Sequence, residues 1–176
     1  GQGYIQTTPI QLCLMTAQIA NGGHKIYPKI IVDDENKNEP NDKFEPLYKN
    51  SKNIRIIQDA MFGSTNEVMG TSYRSRIKDL KYQFAGKTGT SQVKRITEAE
   101  RAMDLKQSQI EYKNRDHALF IAFAPYKEPR YSISVLVEHG GSGSKAAAPL
   151  ASKLIKKIID RHKLREQIRK ANITLA

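Results

Sequence analysis

Two apolar stretches, His117–Ala124 and Arg130–Glu138, constrain the fold of this 176-residue chain more than any other feature. Apolar side chains occupy every second position from Tyr131 to Val137, and Pro125 follows the first stretch directly. A period of two is typical of strands, and two strands joined by a short connection pair in antiparallel orientation. The sequence therefore predicts an antiparallel β-hairpin at this place.

Segments with helical periodicity lie on both sides of this hairpin. Thr8 is a candidate N-cap for the first of them, and Gly22-Gly23 is its stop signal. An antiparallel sheet with helices packed on it is an α+β fold, which is the class expected here. The other predicted elements are helices Pro9–Asn21, Asn53–Phe62 and Lys145–Lys163, strands His24–Val32 and Lys81–Thr90, and a polar loop, Asp33–Lys52.

The chain is strongly basic, with a formal net charge of +11. Such a charge raises the question of an acidic partner such as nucleic acid. However, basic residues are mixed with Asp and Glu from Arg74 to Lys113, and no zinc-finger spacing or RNA-binding aromatic motif accompanies them. We therefore expect no nucleic-acid partner. The sequence also lacks an apolar run of about 18 residues, the length needed to cross a membrane.

Residue types that bind metals are sparse and scattered. The single cysteine, Cys13, lies in an apolar stretch and is expected to be a small core residue. The four histidines show no ligand spacing. We expect neither a metal site nor a cofactor.

The segment Lys87-Thr88-Gly89-Thr90 is the first candidate site, because it ends the predicted strand Lys81–Thr90. It places an ammonium group, two hydroxyls and backbone N–H groups along one strand edge. Such an edge can hold a peptide carboxylate and extend the sheet with a bound peptide. A Walker A phosphate loop would need glycine at position 81, which is Lys81. A plain turn is the remaining alternative.

A glycine-rich stretch, His139–Ser144, precedes the last predicted helix. Backbone N–H groups at a helix start can bind an anion. We favour a flexible strand-to-helix turn in which Ser142 or Ser144 caps the helix.

Several motifs in the same order resemble the C-terminal part of the transpeptidase domain of class B penicillin-binding proteins, most closely their cell-elongation members. The resemblance covers roughly residues 1–165, and the tail 164–176 carries no family signal. It rests on Gly1-Gln2-Gly3-Tyr4, Thr8-Pro9-Ile10-Gln11-Leu12, Ile19-Ala20-Asn21-Gly22-Gly23, Ala85-Gly86-Lys87-Thr88-Gly89-Thr90-Ser91-Gln92, Arg115-Asp116-His117-Ala118, Ala122-Phe123-Ala124-Pro125 and Glu138-His139-Gly140-Gly141.

This resemblance implies a partial fold of the penicillin-binding-protein and β-lactamase type, and a peptidoglycan D,D-transpeptidase that crosslinks stem peptides ending in D-Ala-D-Ala. It implies that Lys87 and Thr88 bound the cleft, that Gly89 belongs to the same substrate-binding wall, and that Thr90 contacts the substrate carboxylate. The backbone near Thr90 would contribute to an oxyanion hole. It further implies β-lactam binding, cell-elongation membrane proteins as partners, and a place on the periplasmic face of the bacterial inner membrane.

The nucleophilic serine of that family does not have a clear counterpart in this chain. Ser75-x-x-Lys78, Ser91-x-x-Lys94 and Ser142-x-x-Lys145 match its motif by spacing, but Ser75 opens no apolar helix and the other two follow Lys87. Ser51-Lys52-Asn53 mimics a second family motif in the same superficial way. We therefore expect the nucleophile upstream of Gly1, no catalytic residue within the chain, and residues 1–176 to be an inactive C-terminal fragment.

Residues 93–115 form a charged insertion between the Lys-Thr-Gly strand and the hairpin. Its few apolar residues offset little of the entropy lost on ordering, so we expect a mobile flap or an exposed helix beside the cleft. Two alternative functions stay open: a serine β-lactamase or D-Ala-D-Ala carboxypeptidase, and a non-catalytic basic interaction module.

Overall fold

The computed structural model describes residues 5–30, 45–94, 98 and 109–174. Short 3-10 turns at Tyr73–Ser75, Leu80–Tyr82 and Tyr112–Asn114, and a π-helical turn at Gly143–Ala147, connect the main elements. Those elements are the helices α1 (Pro9–Ala20), α2 (Ser51–Asn66) and α3 (Ala148–Thr174), and the strands β1 (Ala85–Ser91), β2 (His117–Ala124) and β3 (Tyr131–Val137).

The three strands form one antiparallel sheet in the order β1-β2-β3. Thr88 lies opposite Phe120, and Lys87 lies opposite Ile121. Because successive side chains point to opposite faces of a strand, these two pairs lie on opposite faces of the sheet. The α+β class and the hairpin predicted from the sequence are both confirmed.

One face of the sheet packs against α3. Phe120 and Phe84 are fully buried there and meet edge to face, with ring centroids 6.2 Å apart. Small residues let the helix approach this face closely, since Ala148 and Ala151 have no exposed surface and Ile155 is only 2% exposed. This face forms the larger hydrophobic core.

The opposite face packs against α1 and α2 through a smaller cluster, which contains Ile19, Met61, Ala85 and Phe123. The thiol of Cys13 is half-buried here and lies 3.2 Å from the hydroxyl oxygen of Ser132, where α1 meets β3.

Helix α1 begins as the sequence predicts. The Thr8 hydroxyl accepts a hydrogen bond from the Gln11 backbone N–H, and the Gln11 side chain accepts one from the Thr8 backbone N–H, which completes a capping box. The helix ends before Gly22 and Gly23, whose φ angles of 90° and 88° lie in the left-handed region that favours glycine.

The predicted strand His24–Val32 is wrong as far as the described residues reach, to Ile30. His24 makes an isolated bridge with Pro46, and the rest of the stretch to Ile30 has no strand pairing. The Asn21 side chain accepts the backbone N–H of His24, which turns the chain. Pro28 also lacks a backbone N–H for a ladder.

Two predicted boundaries also need correction. The strand that carries the Lys-Thr-Gly motif begins at Ala85 rather than Lys81, because Asp79 caps a 3-10 turn over Leu80–Tyr82. Helix α2 extends beyond its predicted range at both ends. It runs through Gly63 because Asn66 donates to the carbonyl oxygens of Phe62 and Phe84, at 3.0 and 2.9 Å, and so ties the last turn to the sheet.

At the start of α3 the predicted serine cap is wrong. The Ser142 side chain caps no backbone N–H, and its hydroxyl lies 3.1 Å from that of Ser144 instead. Helix α3 then continues through most of the tail 164–176, to Thr174. The greater parts of the insertion 93–115 and of the loop Asp33–Lys52 lie outside the described residues.

Candidate active-site groove

Strand β1 carries the Lys-Thr-Gly motif along one margin of the sheet. In the part of the chain that the structure describes, β1 pairs with β2 alone, so no strand pairs with its other edge there. The Lys87 side chain is exposed, and its Nζ donates to the carbonyl oxygen of Thr88 at 3.1 Å and to the Thr88 hydroxyl at 3.2 Å. An ammonium group thus lies beside a strand edge that has no strand partner within these residues.

The four motif residues divide between the two faces of the sheet. Lys87 and Gly89 lie opposite Ile121 and Leu119, on the face that carries α1. Thr88 and Thr90 lie on the α3 face, by the alternation of the strand. Lys87 is therefore the motif side chain presented to the α1 side, and its Nζ reaches back to the hydroxyl and carbonyl oxygens of Thr88.

A groove of about 490 Å³ runs along β1 on this side. Its walls are the segment before α1, the first turn of α1 and the strands, and all four motif residues line it. A groove beside an open strand edge can hold an extended peptide as an added strand. The lining residues are Ile5, Gln6, Thr7, Pro9, Leu12, Lys87, Thr88, Gly89, Thr90, Ser91, Gln92, His117, Leu119, Phe120, Ile121 and Leu136.

The strand is held from behind by close backbone packing. A Cβ atom on Gly143 would lie 2.5 Å from the carbonyl oxygen of Leu119 and 2.8 Å from that of Gly89. No side chain fits in that space, so the π-helical turn rests directly on the backbone of β1 and β2. The backbone of the motif strand is therefore packed directly against this turn.

The three serines with Ser-x-x-Lys spacing occupy unrelated places. Ser75 is buried in the turn Tyr73–Ser75, and Ser142 lies beside Gly143 on the α3 side. Ser91 alone of the three lines the groove, but it ends a strand. Lys94, three residues later, therefore does not share a helix face with it.

Ser51-Lys52-Asn53 lies in the exposed first turn of α2 and is not among the residues that line the groove. Within the described residues, no group of three or more potential metal-binding side chains comes together. None of the described helices is long and apolar enough to cross a membrane.

Two contributions to the groove were not anticipated from sequence. The segment before α1 supplies Gln6 and Thr7, and β2 supplies His117 at the end opposite Lys87. The periodicity of His117–Ala124 predicts a strand but does not say which strand end meets the motif. The register, in which His117 faces Ser91, determines that.

Comparison with known proteins assigns this fold and groove to a family. Residues 1–156 match the penicillin binding protein transpeptidase domain. The chain is 31% identical over 169 residues to the peptidoglycan D,D-transpeptidase MrdA of Salmonella typhimurium, covering 91% of this chain and 26% of that protein. The chain belongs to the penicillin-binding protein transpeptidase family.

Solved structures of the same family share the fold. A complex between penicillin-binding protein PBP2 and MreC from Helicobacter pylori superposes with a TM-score of 0.70 at 31% identity, covering 91% of this chain and 26% of that one. Pseudomonas aeruginosa PBP2 in complex with WCK 5153 gives a TM-score of 0.67 at 34% identity, covering 90% and 31%. The chain spans about a quarter of the length of the curated relatives it matches.

Proposed function

We propose that this chain is the Lys-Thr-Gly part of a peptidoglycan D,D-transpeptidase that crosslinks stem peptides ending in D-Ala-D-Ala and is blocked by β-lactams. The observation that carries the proposal is the groove along β1, where the exposed Lys87 lies beside an open strand edge. A stem peptide adds to that edge as an extended strand, with its carboxylate held by donors of the motif.

The reaction requires a serine that attacks the peptide carbonyl, releases the terminal D-alanine and transfers the acyl group to an amine of a neighbouring strand. We place that serine outside residues 1–176. A nucleophile of this kind would need to line the groove and to stand on a helix that brings its lysine beside it. None of the three Ser-x-x-Lys serines meets both conditions. Lys87 and the backbone at Thr90 then stabilise the charge that develops on acylation.

The same proposal extends to the cellular location and the partners of the intact protein. Curated relatives of this chain are peptidoglycan D,D-transpeptidases, and the similar PBP2 of Helicobacter pylori is known in a complex with MreC. We place the intact protein at the periplasmic face of the inner membrane, with cell-elongation membrane proteins as its partners.

Labelling with a fluorescent penicillin tests the function. The intact protein forms an adduct that survives denaturation, whereas residues 1–176 alone form none. An adduct that maps to Ser75, Ser91 or Ser142 would contradict the placement of the nucleophile. An intact protein that resists labelling would contradict the function itself.

The fate of the acyl group separates the two hydrolytic alternatives from crosslinking, since D-alanine is released on acylation in either case. A transpeptidase joins a stem peptide to an added amine acceptor, whereas a carboxypeptidase releases D-alanine without forming that product. Rapid turnover of the penicillin adduct would instead indicate a β-lactamase.

A further inference from the structure

Two histidines from different strand ends meet beside the Ser91 end of the groove. The backbone N–H of His139 donates a 2.9 Å hydrogen bond to Nδ1 of His117. The two rings meet edge to face with their centroids 4.8 Å apart. A nitrogen that accepts from a backbone N–H carries no proton, so the proton of the neutral His117 ring resides on Nε2. Because His117 lines the groove, it brings an N–H donor to this end of it.

The histidine pair is held together against backbone strain. His139 has a φ angle of 54°, in the left-handed region that non-glycine residues rarely adopt. Its Nδ1 lies 3.1 Å from the carbonyl oxygen of Arg115, and its ring packs on that of Tyr112 with centroids 5.2 Å apart. Strained residues of this kind cluster at binding and catalytic sites.

The last turn of α2 covers β1 ahead of the motif. The Thr65 hydroxyl donates to the carbonyl oxygen of Gly86 at 3.4 Å. The Asn66 side chain donates to the carbonyl oxygen of Phe84 at 2.9 Å. A peptide whose terminal carboxylate is held by the motif therefore has its preceding residues on the other side, toward Ser91.

Strand geometry brings one residue of such a peptide within reach of His117. The residue two positions before the terminal D-alanine lies about 7 Å farther along β1, toward Ser91. His117 is the ladder partner of Ser91, and both lie on the same face of the sheet as Lys87. A peptide added to the outer edge of β1 is two strand spacings from β2, about 10 Å. Only a long side chain on that residue spans this gap.

The Nε2–H of His117 also selects the chemical group at the end of that side chain. An N–H donor needs an acceptor, and its hydrogen bond to a carboxylate is stronger than one to a neutral group. An ammonium group has no acceptor, and the net charge of +11 on the chain disfavours it. We infer that His117 is a specificity-determining residue that selects stem peptides in which the residue before D-Ala-D-Ala has a long side chain ending in a carboxylate. This inference rests on the proposed function.

Three synthetic stem peptides that differ only in the residue before D-Ala-D-Ala test the inference. That residue is 2,6-diaminopimelate, lysine or norleucine. Lysine lacks only the side-chain carboxylate of diaminopimelate, and norleucine lacks the amine as well. The value of kcat/KM for acylation of the intact protein is measured with each peptide. We expect the wild type to favour the diaminopimelate peptide over the lysine peptide by about 10- to 100-fold, the range for a hydrogen bond to a charged group.

Two variants of His117 separate binding of the carboxylate from structural support. In His117→Asn the amide oxygen replaces Nδ1 and still accepts the His139 N–H, but nothing replaces Nε2. In His117→Gln the amide group takes the place of Nε2. We expect His117→Asn to lose the preference for the diaminopimelate peptide and His117→Gln to keep most of it. His24→Asn, at an exposed histidine that does not line the groove, is the control and should keep the full preference.

The possible outcomes are distinct. A wild type without a preference for the diaminopimelate peptide, or a His117→Asn variant that retains it, would overturn the inference. An equal loss of kcat/KM toward all three peptides in His117→Asn would also overturn it, because the residue would then be structural. A wild-type protein that penicillin does not acylate would instead contradict the proposed function, since β-lactams imitate D-Ala-D-Ala alone.

Discussion

The side-chain amide of Gln58, buried within α2, donates a 2.7 Å hydrogen bond to the backbone carbonyl oxygen of Ile19 near the end of α1. A second contact, at 3.3 Å, reaches the carbonyl oxygen of Ala20. Carbonyl groups in the last turn of a helix have no partner within that helix. Gln58 therefore satisfies the end of α1 and joins the two helices that cover one face of the sheet.

We expect Gln58→Leu to lower the free energy of unfolding by about 0.5–1.5 kcal/mol, because the Ile19 carbonyl oxygen then keeps only its 3.3 Å hydrogen bond from the Gly22 N–H. Urea denaturation measures the loss. Gln18→Leu, at a half-buried glutamine of α1, is the matched control and should cost much less. Equal losses of unfolding free energy in the two variants would mean that the Gln58 hydrogen bond does not itself stabilise the fold.

Gly86 leaves no room for a side chain. An added Cβ atom would lie 2.4 Å from Cζ of Phe120 and 2.8 Å from the carbonyl oxygen of Ile121. We expect Gly86→Ala to destabilise the fold by about 1–3 kcal/mol through overpacking. Gly89→Ala is the control, since its Cβ would lie 3.3 Å from Cβ of Leu119, a much smaller overlap. Thermal unfolding compares the two, and a smaller loss for Gly86→Ala would contradict the packing.

Asp160 on α3 makes stability depend on pH. The Tyr82 hydroxyl donates to its carboxylate and Lys81 lies 3.4 Å away, and together they hold the pKa of Asp160 below its ordinary value. A depressed carboxyl pKa gives stability that is present above the unfolded-state pKa and lost as the pH falls through the folded-state pKa. We therefore expect Asp160→Asn to be less stable than the wild type at neutral pH, with the difference vanishing in acid.

Tyr82→Phe is the companion variant, because it keeps the ring and removes the hydroxyl that contributes most to the shift. The pKa of Asp160 should rise toward its ordinary value, as measured by NMR titration of the side-chain carboxyl. An unchanged pKa would show that the Tyr82 hydroxyl does not stabilise the carboxylate.

Lys87 is the motif side chain expected to affect the chemistry most. In the intact protein, we expect Lys87→Ala to slow acylation by a β-lactam by about 100- to 1000-fold, the effect of losing one preorganised charged donor. The fold should persist, since Lys87 is exposed. Lys78→Ala, at an exposed lysine that does not line the groove, is the control and should acylate normally. Near-normal kinetics for Lys87→Ala would remove the site assignment.

The elements that could be predicted from sequence are those whose signals are local. Strand β2 has the predicted bounds because Pro125 stops it, and α1 begins where Thr8 and Gln11 can cap each other. The predicted strand at His24–Val32 failed because a strand needs a partner, which the periodicity of one segment does not reveal. Likewise, Gly63 does not end α2, because Asn66 bonds to a distant part of the chain.

The residues around the groove likewise include some that local sequence predicts and some that it does not. Lys87, Thr88, Gly89 and Thr90 form one continuous motif, and the structure places all four along the groove. The pairing of His117 with His139 joins residues 22 positions apart in sequence. Only the register of β2 against β3, together with the left-handed turn at His139, brings them together.

Thr88 pairs with the core residue Phe120 in the ladder, so the face on which the neighbouring Lys87 lies depends on the packing of the hydrophobic core. Strand side chains alternate, so a slip of one residue in β1 would turn Lys87 toward α3 and expose its neighbours to the groove. Burying the Lys87 ammonium group on the α3 face would cost free energy, and the strand has no register between these two. The orientation of the Lys87 side chain is consequently set by the same register that buries Phe120. Substitutions that keep Phe120 packed therefore keep Lys87 on the groove side, and one cannot change by small steps without the other.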